Sequence, residues 1–329
     1  MSAGTGLYSQ VGIATESTYG TYVAPTRFYH LSGWDIQPEF ARVQSDTFTA
    51  GQLQADGRGY VDTTFGASGQ ISTEVMSHGW GMLLTAALGS VSSAMVGDGP
   101  GYKHTFALAS TVGKSLTVQG TRPVGGGSAV PLTMVGGKVT SLELSCQTDG
   151  LLTATVGLDG RNVDNTTAAA TATYAAAARP FSGVGMCVSV GPKGSEVEVS
   201  GVKGAELSLA RSLDTGRHYS CGSGLKDEPV EADVSSFTGS LSLDWLGKTF
   251  EDYALANEAL SLIVTWTGAE IETGVPYELT VRLPAVWFEP ASQGVDGRGT
   301  LSREWSFESK ADGTADVPTV EYVTTDATP

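Results

Sequence analysis

The residues able to do chemistry in this chain are few, and their spacing argues against most of what they might do. His30, His78, His104 and His218 stand far apart. None sits in an HExxH motif or a Cys/His cluster, so no zinc site is expected. Cys146, Cys187 and Cys221 form an odd, widely spaced set, neither a metal pair nor a disulfide framework, and read as reduced, buried thiols. Gly113-Lys114-Ser115 has the ending of a phosphate loop, but Leu108 stands where that loop needs glycine, and no long helix follows. Gly125-Gly126-Gly127-Ser128 reads as a loop tip. Asp98 offers one carboxylate where calcium takes several oxygens. The pairs Asp227-Glu228 and Glu251-Asp252 read as solvated surface rather than a general acid and base. No cofactor or metal is expected and no residue is nominated as catalytic, so the protein is expected not to be an enzyme. A hydrolase with dispersed carboxylates remains as an alternative.

Trp34, Trp80, Trp245, Trp266, Trp287 and Trp305 lie mostly within apolar stretches beside Leu, Val and Phe, which favours core packing. If they were exposed instead, a surface β-sandwich module binding glycans would be the alternative reading. Basic residues do not alternate with them, which removes single-strand nucleic-acid binding.

Composition narrows the field further. The 329 residues carry 19 basic and 35 acidic side chains, a net charge of −16, with 43 glycines. A protein that lives by gripping phosphates needs clustered Lys and Arg, which this one lacks. Residues 1–160 hold 7 basic and 11 acidic residues, and 161–329 hold 12 and 24, so most of the acid lies in the second half. The start has no secretory pattern and no stretch has the ~18–20 apolar residues of a membrane span. Synthesis in a cytosol is expected, with no membrane partner.

Period-two alternation dominates the elements that must position these residues. In 138–148, Leu142, Leu144 and Cys146 share one face while Ser141, Glu143, Ser145 and Gln147 share the other. Asp149-Gly150 then predicts a hairpin turn into 151–158. Similar strands read at 204–210, 239–246, 261–266 and 278–288, and at 300–307 after a second predicted turn, Asp296-Gly297. Two segments, 72–88 and 247–260, show helical spacing.

The chain also aligns to itself. Residues 32–45 fall near 202–215, 69–75 on 239–245, 115–118 on 261–264, and 139–150 near 286–297. The order strand, strand, helix, strand, hairpin recurs, with extra sequence after the first helix. This predicts a duplication: an arm at 1–26, a first unit at 27–160, a connector at 161–180, a second unit at 181–310 and a tail at 311–329.

Three stretches carry a resemblance: VGIATESTYGTYVAPTRFYHLSGWDIQPEF (11–40), RPFSGVGMCVSVGPKG (179–194) and LTVRLPAVWFEPASQGVDGRGTLSREWSFES (279–309). In that order they resemble the tail tube (major tail) proteins of bacteriophages with long, non-contractile tails. The resemblance implies a mainly β protein of two tandem β-sandwich or half-barrel units, each with one flanking helix. It implies a structural virion protein, in rings stacked into a passive, acidic-walled conduit for double-stranded DNA. The expected partner is the chain itself, as a trimeric, pseudo-hexameric ring, with a six-chain ring as the alternative. Tape-measure, distal-tail and tail-terminator proteins are implied as further partners.

On this reading Glu143, Glu206, Asp244 and Glu304 are candidates for the lumen wall. Val11, Ile13, Tyr19, Tyr22, Val23 and Tyr322, in the two arms, are candidates for contacts between subunits, as is the loop at 46–62.

Overall fold

The computed structural model describes residues 3–54, 56–125, 129–175, 177–290, 294–295, 298–313 and 316–329. Its first half runs β1 (Val11–Thr15), β2 (Arg27–Phe28), β3 (Leu31–Gln44), β4 (Tyr60–Glu74), α1 (Gly81–Leu88), β5 (Gly89–Val96), β6 (Gly101–Leu108), β7 (Leu116–Pro123), β8 (Ala129–Gln147), β9 (Thr153–Gly160) and β10 (Asn162–Asp164). The second half begins with β11 (Met186–Gly191), β12 (Val197–Glu198), β13 (Val202–Ala210), β14 (Leu213–Asp214), β15 (Val230–Glu231) and β16 (Ser236–Asp244). It ends with α2 (Thr249–Ala256), β17 (Leu260–Glu272), β18 (Val275–Phe288), β19 (Ser302–Ser309) and β20 (Thr319–Thr324).

The chain is mainly β, as the alternation predicts. The Asp149-Gly150 hairpin forms, with Ser145 opposite Thr153 and Leu144 opposite Ala154. The turn predicted at Asp296-Gly297 and Gly126, Gly127 and Ser128 of the loop tip lie outside the described residues. The helix read over 72–88 is shorter. Residues 72–74 stay in β4 because both edges of that strand are paired, to β3 and to β9. Gly79, at φ +84, turns the chain so that the helix starts at Gly81. Gly89, at φ +94, closes α1, and Asn257, at φ 52, closes α2 at the matching place.

Each half is built from two antiparallel sheets that share one long strand. In the first, the opening part of β8 pairs with β7, which pairs with β1. Beyond a bulge between Val139 and Ser141, β8 pairs with β9, which continues to β4 and β3. In the second, β18 pairs first with β17, which continues to β11. It then pairs with β19, which continues to β16 and β13. The pairings therefore recur strand for strand, β1 with β11, β3 with β13, β4 with β16, β7 with β17, β8 with β18 and β9 with β19. The extra sequence after the first helix is the β5–β6 hairpin.

One apolar cluster fills the space between the sheets. It includes Trp80, Leu83, Leu84, Phe106, Val118, Leu144, Leu262, Trp266 and Tyr322. Burying each such side chain stabilises the fold by about 1.5–3 kcal/mol.

Both arms depart from the sequence expectation. Val11 and Ile13 are wholly buried in β1, between β2 and β7 of their own chain. Tyr322 is equally buried, because β20 inserts between β6 and β18, and its hydroxyl donates to Met76 O at 2.8 Å. Alternating apolar residues complete the nearest open sheet, here the chain's own. Within the single chain these three side chains are therefore already covered. The cysteines also differ in part: Cys146 is buried, but Cys187 and Cys221 are exposed.

Candidate functional site

The two halves join through their sheets. β13 lies antiparallel against β8, with Leu207 opposite Leu144 and Ala210 opposite Ser141. One antiparallel sheet thus runs unbroken through β3, β4, β9, β8, β13, β16, β19 and the end of β18. Period-two sequence in every strand gives this sheet one apolar face and one polar face.

Cross-strand register shows the polar face in rows. One row crosses all eight strands: Gly33, Ser72, Thr155, Glu143, Ser208, Thr238, Glu308 and Trp287. The next carries Glu74, Thr153, Ser145, Glu206, Ser240 and Ser306. A third carries Gln147, Gly204, Ser242 and Glu304, with Asp244 opposite Ser302 beyond it. Glu143, Glu206, Asp244 and Glu304 therefore share one face, although 161 residues separate the first from the last. Glu143, Glu206 and Glu304 are exposed; Asp244 is half-buried and pairs with Lys203 Nζ at 2.5 Å. Small hydroxyls separate the carboxylates along each row, leaving a hydrated surface of negative sign.

Sequence reasoning missed the crossing between β13 and β16, residues 211–235, which folds back over the first half. Leu225 bridges Phe65, and Phe65 N–H donates to Gly224 O at 2.8 Å. Lys226 Nζ reaches Asp159 at 2.6 Å and Glu39 at 3.5 Å. Burial pushes the Asp159 carboxyl up while Lys226 draws it back down. Lys138 Nζ meets Glu228 at 2.5 Å and donates to Thr111 O; burial pushes this ammonium down and Glu228 opposes that. Burial pushes Glu231 up, but hydrogen bonds from Thr111 and Ser110 outweigh it and hold the carboxyl at about 2. Read along the sequence, the pair Asp227-Glu228 looks like solvated surface. Only the fold shows that Glu228 meets a buried cation, Lys138, as Glu231 meets buried Arg211.

The remaining arm residues stay nearer the surface. Tyr19 donates to Asp227 O at 3.3 Å, Val23 N–H donates to Thr117 Oγ1 at 3.1 Å, and Tyr22 is 39 % exposed. The end of the β3–β4 hairpin is different again: Phe40, Val43, Phe48, Leu53, Tyr60 and Val61 are all at least half exposed.

Trp80, Trp266 and Trp305 are buried and the other three half-buried, which takes away the aromatic platform of the glycan-binding alternative. Among the described residues, no three His, Cys, Asp or Glu side chains are grouped to hold a metal ion. Nor is any helix there long and apolar enough to cross a membrane.

The two halves thus share one continuous antiparallel sheet with a polar and an apolar face. The chain matches the family described as phage tail tube protein over residues 6–309, and it belongs to that family. No curated protein matches it. Membership makes it a structural component of the virion tail that assembles into the tube alongside other tail components.

Proposed function

We propose that three chains close into one ring, whose inner wall is the polar face of the eight-stranded sheet. The unbroken β8–β13 join carries this reading, because both halves share one sheet, which supports a common wall rather than one half outside the other. The sheet has open edges at β3 and at the end of β18, and pairing these between chains removes the edges altogether. Strands roughly 4.8 Å apart and tilted about 40° give a barrel of about 24 strands a backbone diameter of about 48 Å. Six chains in the same wall would double that.

The wall then carries Glu143, Glu206, Asp244 and Glu304, and double-stranded DNA passes it without specific binding. Every Lys or Arg held against a phosphate would act as a brake, whereas carboxylates and hydroxyls keep a water layer between wall and duplex. Strands run along the tube, so the two-stranded end of the β3–β4 hairpin, beyond the last β9 partner at Ala67, projects roughly 20 Å past the ring. Its exposed apolar residues make the contact between rings, a heterologous contact that propagates as an open filament.

The strand-for-strand recurrence supports an internal duplication, with 161–180 as the connector. Synthesis in the host cytoplasm and contacts with tape-measure, distal-tail and terminator proteins belong to the same reading. Electron microscopy of the purified protein tests it. Stacked rings with three chains each are expected; a chain that stays monomeric under all assembly conditions, or six chains per ring, overturns it.

A further inference from the structure

Each half ends its β4-type and β9-type strands in a fork. In the first half the last bond is Val75 N–H to Leu152 O, and in the second it is Trp245 N–H to Leu301 O, both 2.9 Å. Beyond these bonds the strands part. In the first half, residues 179–183 are threaded into the gap. Phe181 N–H donates to Val75 O at 3.0 Å and Phe181 O accepts from Leu152 N–H at 2.9 Å. Ser77 N–H donates to Arg179 O at 2.8 Å, and Gly183 N–H donates to Gly150 O at 2.9 Å. Phe181 is 1 % exposed.

The second fork is open. Among the described residues nothing donates to Trp245 O or accepts from Leu301 N–H. Leu246 is 70 % exposed, and a cleft of about 370 Å³ lined by Val197, Trp245, Leu246, Phe250, Tyr253 and Trp305 opens beside it.

What fills the first fork identifies what fills the second. The threaded stretch leads through a three-residue 3-10 turn, Gly183–Gly185, into β11, the first strand of the following half. An equivalent stretch leads through the turn Gly6–Tyr8 into β1. Thr5 and Ser182, just before the two turns, share an extended backbone, at φ −122 and ψ 139 and at φ −126 and ψ 158. The first turn lies by Pro123, which ends β7, and the second by Thr267 within β17; a Cβ on Gly4, just before the first turn, would meet Pro123 O, and one on Gly185, the last residue of the second, would meet Thr267 O. In the ring, the half that precedes β1 is the second half of another copy.

Resting on the ring reading, we propose that residues 3–5 of one chain thread into the fork between Trp245 and Leu301 of its neighbour. Gly4 N–H donates to Trp245 O and Gly4 O accepts from Leu301 N–H, repeating the bonds of Phe181. The adjacent Leu7 and Tyr8, 89 % and 77 % exposed, and Leu246 are apolar surface that a single chain leaves in water.

Pro180 lies opposite Met76 in the filled fork, which makes Ala3 the counterpart of Pro180 and Leu246 that of Met76. The test uses the full chain with A3C and L246C in a C187S/C221S background, assembled and then oxidised. Linked species that stop at three chains are expected. No link, a link within one chain, or a ladder beyond three overturns the inference. In the wild-type protein, exchange of the Leu301 amide is expected to slow about tenfold or more on assembly; unchanged exchange in assembled rings overturns it. Rings that form without the link or the slowing defeat this inference alone, whereas a failure to form rings defeats the ring reading with it.

Discussion

The two hairpin crossings at equivalent places in the two halves have opposite fates. The β13–β16 crossing turns back onto the first half and buries Lys226 against Asp159, while Arg211, itself buried, meets Glu231. The β3–β4 crossing continues its ribbon outward and leaves Phe48 and Leu53 almost fully exposed. The helices follow the same division. α1 buries Leu83, Leu84 and Leu88 against β8 and the β5–β6 hairpin, whereas α2 buries only Ala254. Where the chain contains the neighbouring unit, the contact is already made and polar groups are matched inside it. Where it does not, apolar surface is left exposed, which on the proposed ring reading another copy would cover.

Matched pairs of substitutions sharpen this contrast. Lys226→Ala strands a nearly buried Asp159 and is expected to cost about 3–5 kcal/mol. Arg42→Ala, which breaks the exposed Arg42–Asp62 pair of the other crossing, is expected to leave stability nearly unchanged. Equal losses in denaturant melts of the unassembled chain would break the comparison. Between the helices, Leu84→Ala is expected to lose about 2–5 kcal/mol and Leu255→Ala, 71 % exposed, less than about 0.5 kcal/mol.

A smaller effect concerns acid. The Glu231 carboxyl is held below its ordinary value, so its contribution is fully present above pH ~4.5 and is lost as pH falls toward about 2. Because the group is partly exposed, solvent screening reduces that contribution to about 1 kcal/mol. Glu231→Gln should flatten the stability profile by that amount across this window, as read in melts at stepped pH. A profile identical to wild type would detach Glu231 from the crossing's stability.

The smallest change in stability belongs to Leu53→Ser, within about 0.5 kcal/mol. It should nevertheless shorten or abolish stacked tubes in micrographs while single rings persist. Tubes of undiminished length would remove the β3–β4 end from the contact between rings.

Much of this was legible along the chain. Alternation in 138–148 told which face of β8 is polar, and Asp149-Gly150 told where it turns, because both signals are local. The placement of Glu143, Glu206, Asp244 and Glu304 on a single face was less accessible. Each parity was readable strand by strand, but a common face needs the register of every pairing between them. The helix start was misread because 72–74 has spacing that suits either element, and pairing on both edges of β4 decides for strand. Val11, Ile13 and Tyr322 looked like residues for a neighbour because a short apolar arm carries no mark of whose sheet it completes.

By itself, then, the sequence determined the β character, the two-faced strands and the acidic balance, all of which depend on composition or on residues near one another. The tertiary structure decided which edges meet, which crossing folds back and which fork is left open. Those outcomes turn on competition among distant backbone edges and buried charges. No local pattern carries the free energy of a pairing made more than a hundred residues away.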